Sequence, residues 1–536
     1  MPDKNTLKVR FAPSPTGKVH IGNIRTAIFN WLYAKHNNGK FLVRVEDTDI
    51  ERSTAEAIEK LFECLQWLKI DFDEKPVYQT ANAEKHKKAA EKLLQQKSAY
   101  YPPAPEGDSS PLIFRIPWNT DDINAVKTEE TTELAIHPDE PLKISSSGLN
   151  FAQISKKGKP VPTAACLAGF MNLKAFDNNE NTIFDINEHI DSILNDEKQF
   201  LLENVQKISF TRRTVQFNDK VKGLLTKPLD SIKDFVIVRS DGTPVFHLAN
   251  VVDDAEQNIS CIIRGDDHVE NTYRHIFLFH ALGYDIPEYA HLPMIVNKSG
   301  KPYSKRDGDA FVGDFKLKGF LPEALFNYLA LLGWSPGDDR EKMSMQELAE
   351  LFSLERVLSS PAQFDIIKLT NLNAKYIQEL SDQQFIEKII EFAKMTSLDD
   401  VLTWYKKQET TFCKVAALMK ERTKLLADVT SWQIFFSESV SYDSKILKKH
   451  VKQNFIDLIP ELISGFSELE NLSDESINTF LRSFEEKNNL SPGKINRPLR
   501  VAVTSLPSGP DLARTLSILE KNIIIKRLSN LTQEIV

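Results

Sequence analysis

His20, Gly22 and Asn23 stand together in His20-Ile21-Gly22-Asn23, directly ahead of a run whose apolar residues Ile24, Ala27, Ile28, Trp31 and Leu32 fall at helical spacing. That spacing puts the turn at a helix N-terminus, where unpaired N–H groups and the macrodipole favour a phosphate. Gly22 lacks a β-carbon, so a base or phosphate can come close to the backbone, and His20 can donate a hydrogen bond to a phosphate oxygen. Upstream, Val9 and Phe11 alternate as in a strand, and Pro13, Pro15 and Gly17 then break regular structure. Arg10 to Leu32 therefore reads as strand, phosphate-binding turn and helix, which is a nucleotide site. A second chemical feature is the cationic, glycine-flanked loop Gly300-Lys301-Pro302-Tyr303-Ser304-Lys305-Arg306-Asp307-Gly308.

The elements that must hold these groups follow the same patterning. In Phe41 to Asp49, Phe41, Val43 and Val45 share one face of a strand, and Leu42, Arg44 and Glu46 share the other. Strand, helix and strand within about 40 residues imply a right-handed parallel crossover. Helices are expected around Thr54 to Leu68 and Ala83 to Gln96. From Pro102 to about Arg213 the pattern is mixed and polar, with loops at Glu106 to Ser110 and Ser145 to Gly148. His189 and Cys166 stand alone there and read as buried structural residues. Phe235 to Arg239 is a strand and Ser240-Asp241-Gly242 a turn. Ile262 to His268 ends another buried strand in charged groups, at the edge where doubly wound sheets bind ligands. From about Ala374 the chain reads as helices with long polar faces.

The string RFAPSPTG in front of HIG resembles the signature of class I aminoacyl-tRNA synthetases, and the glutamyl-tRNA synthetases in particular; glutaminyl enzymes read closer to PEPNG. Pro244 to Asp254 resembles that family's YHLAxVVDD block, and Phe320 to Asp339 its stem-contact module. Arg497 to Leu512 resembles the last part of its anticodon-binding domain. The basic loop resembles KLSKRHG, a version of KMSKS: Ser304, Lys305 and Arg306 match, whereas Pro302 replaces the first lysine and Tyr303 the aliphatic residue. Lys342-Met343-Ser344 follows the stem-contact module, lacks the second lysine and is a decoy.

The resemblance implies an α/β fold: a Rossmann-type doubly wound parallel sheet split by an inserted connecting domain, followed by an α-helical C-terminal anticodon-binding region. The expected parts are a first catalytic half over 1–101, an enlarged acceptor-stem-binding insertion over 102–213 and a second catalytic half over 214–319. A stem-contact module over 320–373 and the helical region over 374–536 complete the chain. The implied activity is glutamate–tRNA ligation through glutamyl-adenylate, with L-glutamate, ATP carrying Mg2+ and tRNA as partners. The alternatives are a non-discriminating enzyme that also charges glutamine tRNA, and a catalytically silent tRNA-binding homologue. Retention of His20, Lys305, Arg10 and Glu46 weighs against the silent form.

By the same resemblance His20, Lys305 and Arg306 are catalytic, and Pro13, Gly17, His20, Gly22, Asn23, Ser304 and Lys305 hold ATP. Arg10, Ser14, Glu46, Phe246, Asn250 and Arg264 surround glutamate. Arg10 is assigned to the side-chain carboxylate, Glu46 to the ammonium and Arg264 to the α-carboxylate or its neighbour. Phe246 stands where relatives carry tyrosine, so one hydroxyl donor is missing. Arg497 and Arg500 are expected to bind tRNA, within a cation-rich stretch from Lys494 to Arg527.

The 536 residues are too many for one core, and 41% hydrophobic with 26% charged residues fits a globular protein. A net charge of −8 excludes a wholly basic nucleic-acid coat, although tRNA needs only a local positive surface. No run is long and apolar enough to span a bilayer, and the N-terminus lacks the apolar core of a secretion signal, so a cytoplasmic location is expected; a monomer is expected, though nothing in the sequence fixes the oligomeric state. Cys64, Cys166, Cys261 and Cys413 lie far apart, which predicts no structural zinc. Asp47, Asp49, Asp253, Asp254, Asp266 and Asp267 are read as caps, positioning groups and ion pairs with Arg44 or Arg52 rather than metal ligands.

Overall fold

Strand β1, Lys8–Phe11, pairs in parallel with β2, Lys40–Val45, and helix α1, Ile21–His36, makes the crossover between them. The computed structural model describes residues 6–15, 17–48, 53–103 and 109–535. Asp49, Arg52 and most of the expected loop at Glu106 to Ser110 lie outside them. Both faces of β2 are covered: Phe41 and Val43 are buried, and so are Leu42 and Arg44, as in a sheet with helices on both sides. The charged face of this strand is therefore interior, and its arginine must find partners inside the protein.

The stretch that looks patternless in sequence is antiparallel β-structure. Val126–Ala135, Phe170–Phe176 and Gly223–Pro228 all pair with the long strand β3, Lys207–Asp219. Leu142–Ser145 and Gly148–Ile154 form a hairpin, extended by Phe200–Leu202 on one side and Pro160–Ala165 on the other. Leu142, Ile144, Leu149, Phe170 and Phe210 are among the residues of its core. Cys166 is buried, as expected, whereas His189 is only half-buried, with its ring packed against Phe184 and Phe200.

The last residue of β3, Asp219, pairs in parallel with β5, Glu288–Leu292, which in turn pairs in parallel with β4, Cys261–Gly265. Helix α2, Phe246–Glu256, precedes β4, and α3, Val269–Leu282, links β4 to β5. The two distant halves meet where Ser260 N–H donates to the Lys8 carbonyl at 3.0 Å and Lys8 N–H donates to Ser260 Oγ at 2.9 Å. All these elements belong to one compact unit, which runs to Val312 and includes Leu329–Phe364. Within it, Lys342-Met343-Ser344 is a helix cap: Ser344 and Glu347 exchange a capping box ahead of Met345–Leu351.

The second unit comprises Gly313–Tyr328 and the chain from Asp365 onward and is helical. Its helices begin earlier than the polar pattern suggests, because Asp365 accepts from Ile367 N–H and Lys368 N–H and so caps Ile366–Glu379. Phe385, Phe412, Trp432 and Leu499 are part of its core.

Candidate active site

His20 caps α1, and its Nδ1 accepts a hydrogen bond from Gly22 N–H at 3.0 Å. The bond fixes the tautomer: Nε2 carries the proton and is left as the donor. Burial lowers the pKa of this imidazole, with the Tyr303 carbonyl acting the other way, so the ring is neutral at pH 7. Ile21 N–H donates to the Ala310 carbonyl at 2.9 Å and Val312 N–H to the Val19 carbonyl at 3.0 Å, which ties the turn to the segment leaving the basic loop.

The turn opens into a cavity of about 530 Å³. Arg10, Ser14, Glu46, Phe246, Asn250 and Arg264 all line it, together with Pro13, His20, Gly22 and Asn23. Gly17, Ser304, Lys305 and Arg306 do not; of the loop, Pro302 and Tyr303 reach the wall. Asp307 folds the loop back on itself, accepting from Asn297 Nδ2 at 2.7 Å, Ser304 N–H at 2.9 Å and Ser304 Oγ at 3.0 Å. Tyr303 packs on Phe364 with ring centroids 4.6 Å apart, and Lys305 is exposed. The missing first lysine and the aromatic substitution thus coincide with a loop braced by its own aspartate.

At the other end of the cavity the charges interlock. Arg10 donates from Nε to Asp254 Oδ1 at 2.8 Å and from Nη2 to Oδ2 at 3.3 Å. Arg44 donates from Nη1 to the same Oδ1 at 2.5 Å and from Nη2 to Asn250 Oδ1 at 2.8 Å. Asn250 Nδ2 in turn donates to Glu46 Oε1 at 2.7 Å. Burial pushes the Glu46 carboxyl above the usual range, against the pull of Arg44 and Arg10. Asp254 stays ionised, because the two guanidiniums outweigh its own burial.

Arg264 is different. It is 6% exposed and forms no ion pair with a carboxylate among the described residues. Nη2 donates to Thr272 Oγ1 at 2.7 Å and to the His268 carbonyl at 3.3 Å, Nε donates to His291 Nε2 at 3.2 Å, and the buried Nη1 has no partner. Burial brings its pKa down to about 10. Phe246, at the start of α2, stacks on His268 at 5.6 Å and presents no hydroxyl.

Sequence reasoning missed Arg25 altogether. Arg25 lines the cavity and holds the carbonyls of Pro293 and Leu332, and burial brings its pKa down to about 10. The aspartates are engaged: Asp47 with Thr80, Asp253 with Gln79, Asn82 and His86, and Asp266 with Lys222. Among the described residues no group of three or more His, Cys, Asp and Glu is placed to hold a metal, and Cys166, Cys261 and Cys413 are free thiols.

In the second unit a cavity of about 800 Å³ is lined by Arg422, Lys449, Lys452, Lys494, Arg497 and Arg500, among others. Burial lowers the pKa of Arg500, which Asp511 opposes. Among the described residues no helix is long and apolar enough to cross a membrane.

Residues 6–106 and 178–371 match the catalytic domain of the class I tRNA synthetases for glutamate and glutamine. The chain belongs to that family. Residues 384–532 match an anticodon binding domain. The synthetase is 33% identical over 97% of its length to glutamate–tRNA ligase 2 of Thermoanaerobacter pseudethanolicus, of which 97% is covered. It is 32% identical over 99% of its length to a glutamate–tRNA ligase of Legionella pneumophila, of which 98% is covered. A crystal structure of a glutamate tRNA ligase from Elizabethkingia meningosepticum, in complex with its amino acid, matches with a TM-score of 0.72 and 26% identity over 99% of both chains. The Rossmann-type class I fold and the ligase class of the enzyme expected from the sequence are thus borne out. Residues 107–177, which include the Leu142–Ser145 hairpin strands, lie outside the matched catalytic segments.

Proposed function

We propose that this synthetase joins L-glutamate to tRNA, forming glutamyl-adenylate from ATP and then glutamyl-tRNA, with AMP and pyrophosphate released. The observation that carries the reading is the uncompensated Arg264 guanidinium in the same cavity as the phosphate-binding turn. A buried cation without a carboxylate costs free energy, and an acidic amino acid relieves that cost where a neutral one does not. Arg10 already shares its charge with Asp254, which favours Arg264 for the side-chain carboxylate, with Arg10, the residue assigned to it from sequence, beside it. Glu46 and Asn250 face the substrate ammonium, and Ser14 completes that wall.

Adenylate formation needs no protein nucleophile: the amino-acid carboxylate attacks the α-phosphorus and pyrophosphate leaves. Its barrier is charge repulsion and misplacement, which oriented donors lower. His20 Nε2–H supplies a donor, the N-terminal dipole of α1 favours the phosphate charge, and Gly22 lets it come close, with Pro13, Gly17 and Asn23 shaping the turn. ATP enters with its Mg2+ as substrate. Ser304, Lys305 and Arg306 reach the phosphates when the basic loop moves inward. The 2′-hydroxyl of the terminal adenosine then attacks the adenylate carbonyl. Arg497 and Arg500, in the cationic cavity of the helical unit, hold tRNA.

The test is ATP-dependent charging of separated glutamate and glutamine tRNAs with glutamate. Charging of glutamate tRNA is expected; failure to charge either tRNA refutes the reading, and charging of both would make the enzyme non-discriminating.

A further inference from the structure

Three strands bring Asp219, Arg264 and His291 together behind the substrate cavity. Asp219 closes β3, and Arg264 in β4 lies directly opposite His291 in β5. Asp219, His291 and Thr272 are 4%, 0% and 0% exposed, so none of them is available to bulk solvent. His291 Nδ1 lies 2.6 Å from Asp219 Oδ2, and the carboxylate also accepts from the backbone N–H groups of His291, Val221 and Lys222.

The carboxylate fixes the proton on Nδ1, which leaves a lone pair on Nε2. That lone pair faces Arg264 Nε–H at 3.2 Å, with Thr272 Oγ1 at 3.1 Å from the same nitrogen and 2.7 Å from Arg264 Nη2. The opposite tautomer would set N–H against N–H and displace the guanidinium. Burial keeps the imidazole neutral. Asp219 therefore orients Arg264 through a neutral ring without neutralising it, in contrast to Arg10, whose charge Asp254 meets directly.

We infer that Asp219, His291 and Thr272 are positioning residues for amino-acid selection, holding the Arg264 guanidinium by neutral acceptors so that its charge stays available to a substrate carboxylate. The inference rests on the glutamate reading given above. Direct contact with an aspartate would hold the arginine as firmly but would lower its attraction for an acidic ligand.

The experiment measures KM for glutamate, ATP and tRNA in aminoacylation by the full-length enzyme. His291→Asn puts an amide near the Nδ1 position and keeps a donor to Asp219 but removes the acceptor facing Arg264. His291→Gln puts a carbonyl oxygen near the Nε2 position and restores it. For the asparagine variant we expect the glutamate KM to rise about tenfold or more, with ATP and tRNA KM within about twofold, and for the glutamine variant we expect most of that loss to be recovered. Thr272→Val, which keeps the side-chain shape, should raise the glutamate KM in the same selective way and carries the test if the histidine variants fold poorly. Equal rises for glutamate and ATP, or no recovery by glutamine, would reduce His291 to a packing role and overturn the inference. Arg264→Met separates the two levels. If it leaves the glutamate KM unchanged, the reading of the site falls; if it raises it while the His291 and Thr272 variants do not, only the positioning role falls.

Discussion

Replacing Asp254 by asparagine removes one negative charge from between two guanidiniums. Arg10 and Arg44 are 3% and 0% exposed, and the carboxylate takes two bonds from Arg10 and the 2.5 Å bond from Arg44. Asparagine keeps one neutral acceptor, so both cations stay buried, with Glu46 Oε1 at 3.6 Å from Arg44 as the next carboxylate. Breaking a buried pair from one side costs about 3–5 kcal/mol. With a urea slope of about 3 kcal/mol per molar, the unfolding midpoint of the catalytic unit falls by about 1–1.7 M. Urea unfolding followed by hydrogen exchange reads this directly: amides of β1 and β2 should lose protection at lower urea, and those of the helical unit should not. Glu46→Gln is the internal comparison. Burial already pushes the Glu46 carboxyl toward its neutral form, and one Asn250 bond holds it, so its loss should cost about 1 kcal/mol. Adding Arg44→Met to Asp254→Asn should recover part of the stability, because it withdraws one orphaned charge. A cost for Asp254→Asn no larger than that for Glu46→Gln would refute the reasoning that Asp254 is the counter-ion of the site.

Three further outcomes are expected. His247 is held down to about 4, His275 well below 6.5 and His291 below 6.5, each chiefly by burial, so below pH 6.5 the unfolded chain binds protons that the folded chain refuses. Stability should fall on acidification by up to about 1.4 kcal/mol per pH unit for each such histidine, and urea midpoints that stay level from pH 7.5 to 5.5 would contradict it. Lys305→Ala should slow tRNA-dependent pyrophosphate exchange by orders of magnitude with modest change in tRNA affinity; wild-type exchange would remove the loop from the mechanism. Replacing Arg497 and Arg500 by alanine should weaken tRNA binding and flatten its salt dependence, whereas unchanged binding would return that cavity to a solvated surface.

The parts of the site that were legible in sequence are those whose geometry is local. His20 accepts from Gly22, two residues away, so the turn, its cap and its helix are written in one string. The long antiparallel segment was not legible, because Val126–Ala135 is exposed or half-exposed throughout and shows no buried face to alternate with a polar one. Lys305 was legible by type, but not its distance from the cavity: Pro302 and Tyr303 line the wall, whereas Lys305 lies exposed in a loop braced by Asp307.

The arginines mark the deeper limit. Arg10, Arg44 and Arg264 look alike in sequence, each in a strand that delivers charge to the same region. What separates them is the partner met across the fold: Asp254, 244 residues from Arg10, against a neutral histidine oriented by Asp219. On the proposed reading Arg44, closed by Asp254, is scaffold, and Arg264, closed by neutral acceptors, is left to meet an anion. On that reading charge compensation, rather than the presence of a cation, separates Arg264 from Arg44, and it depends on strand register that no local pattern records.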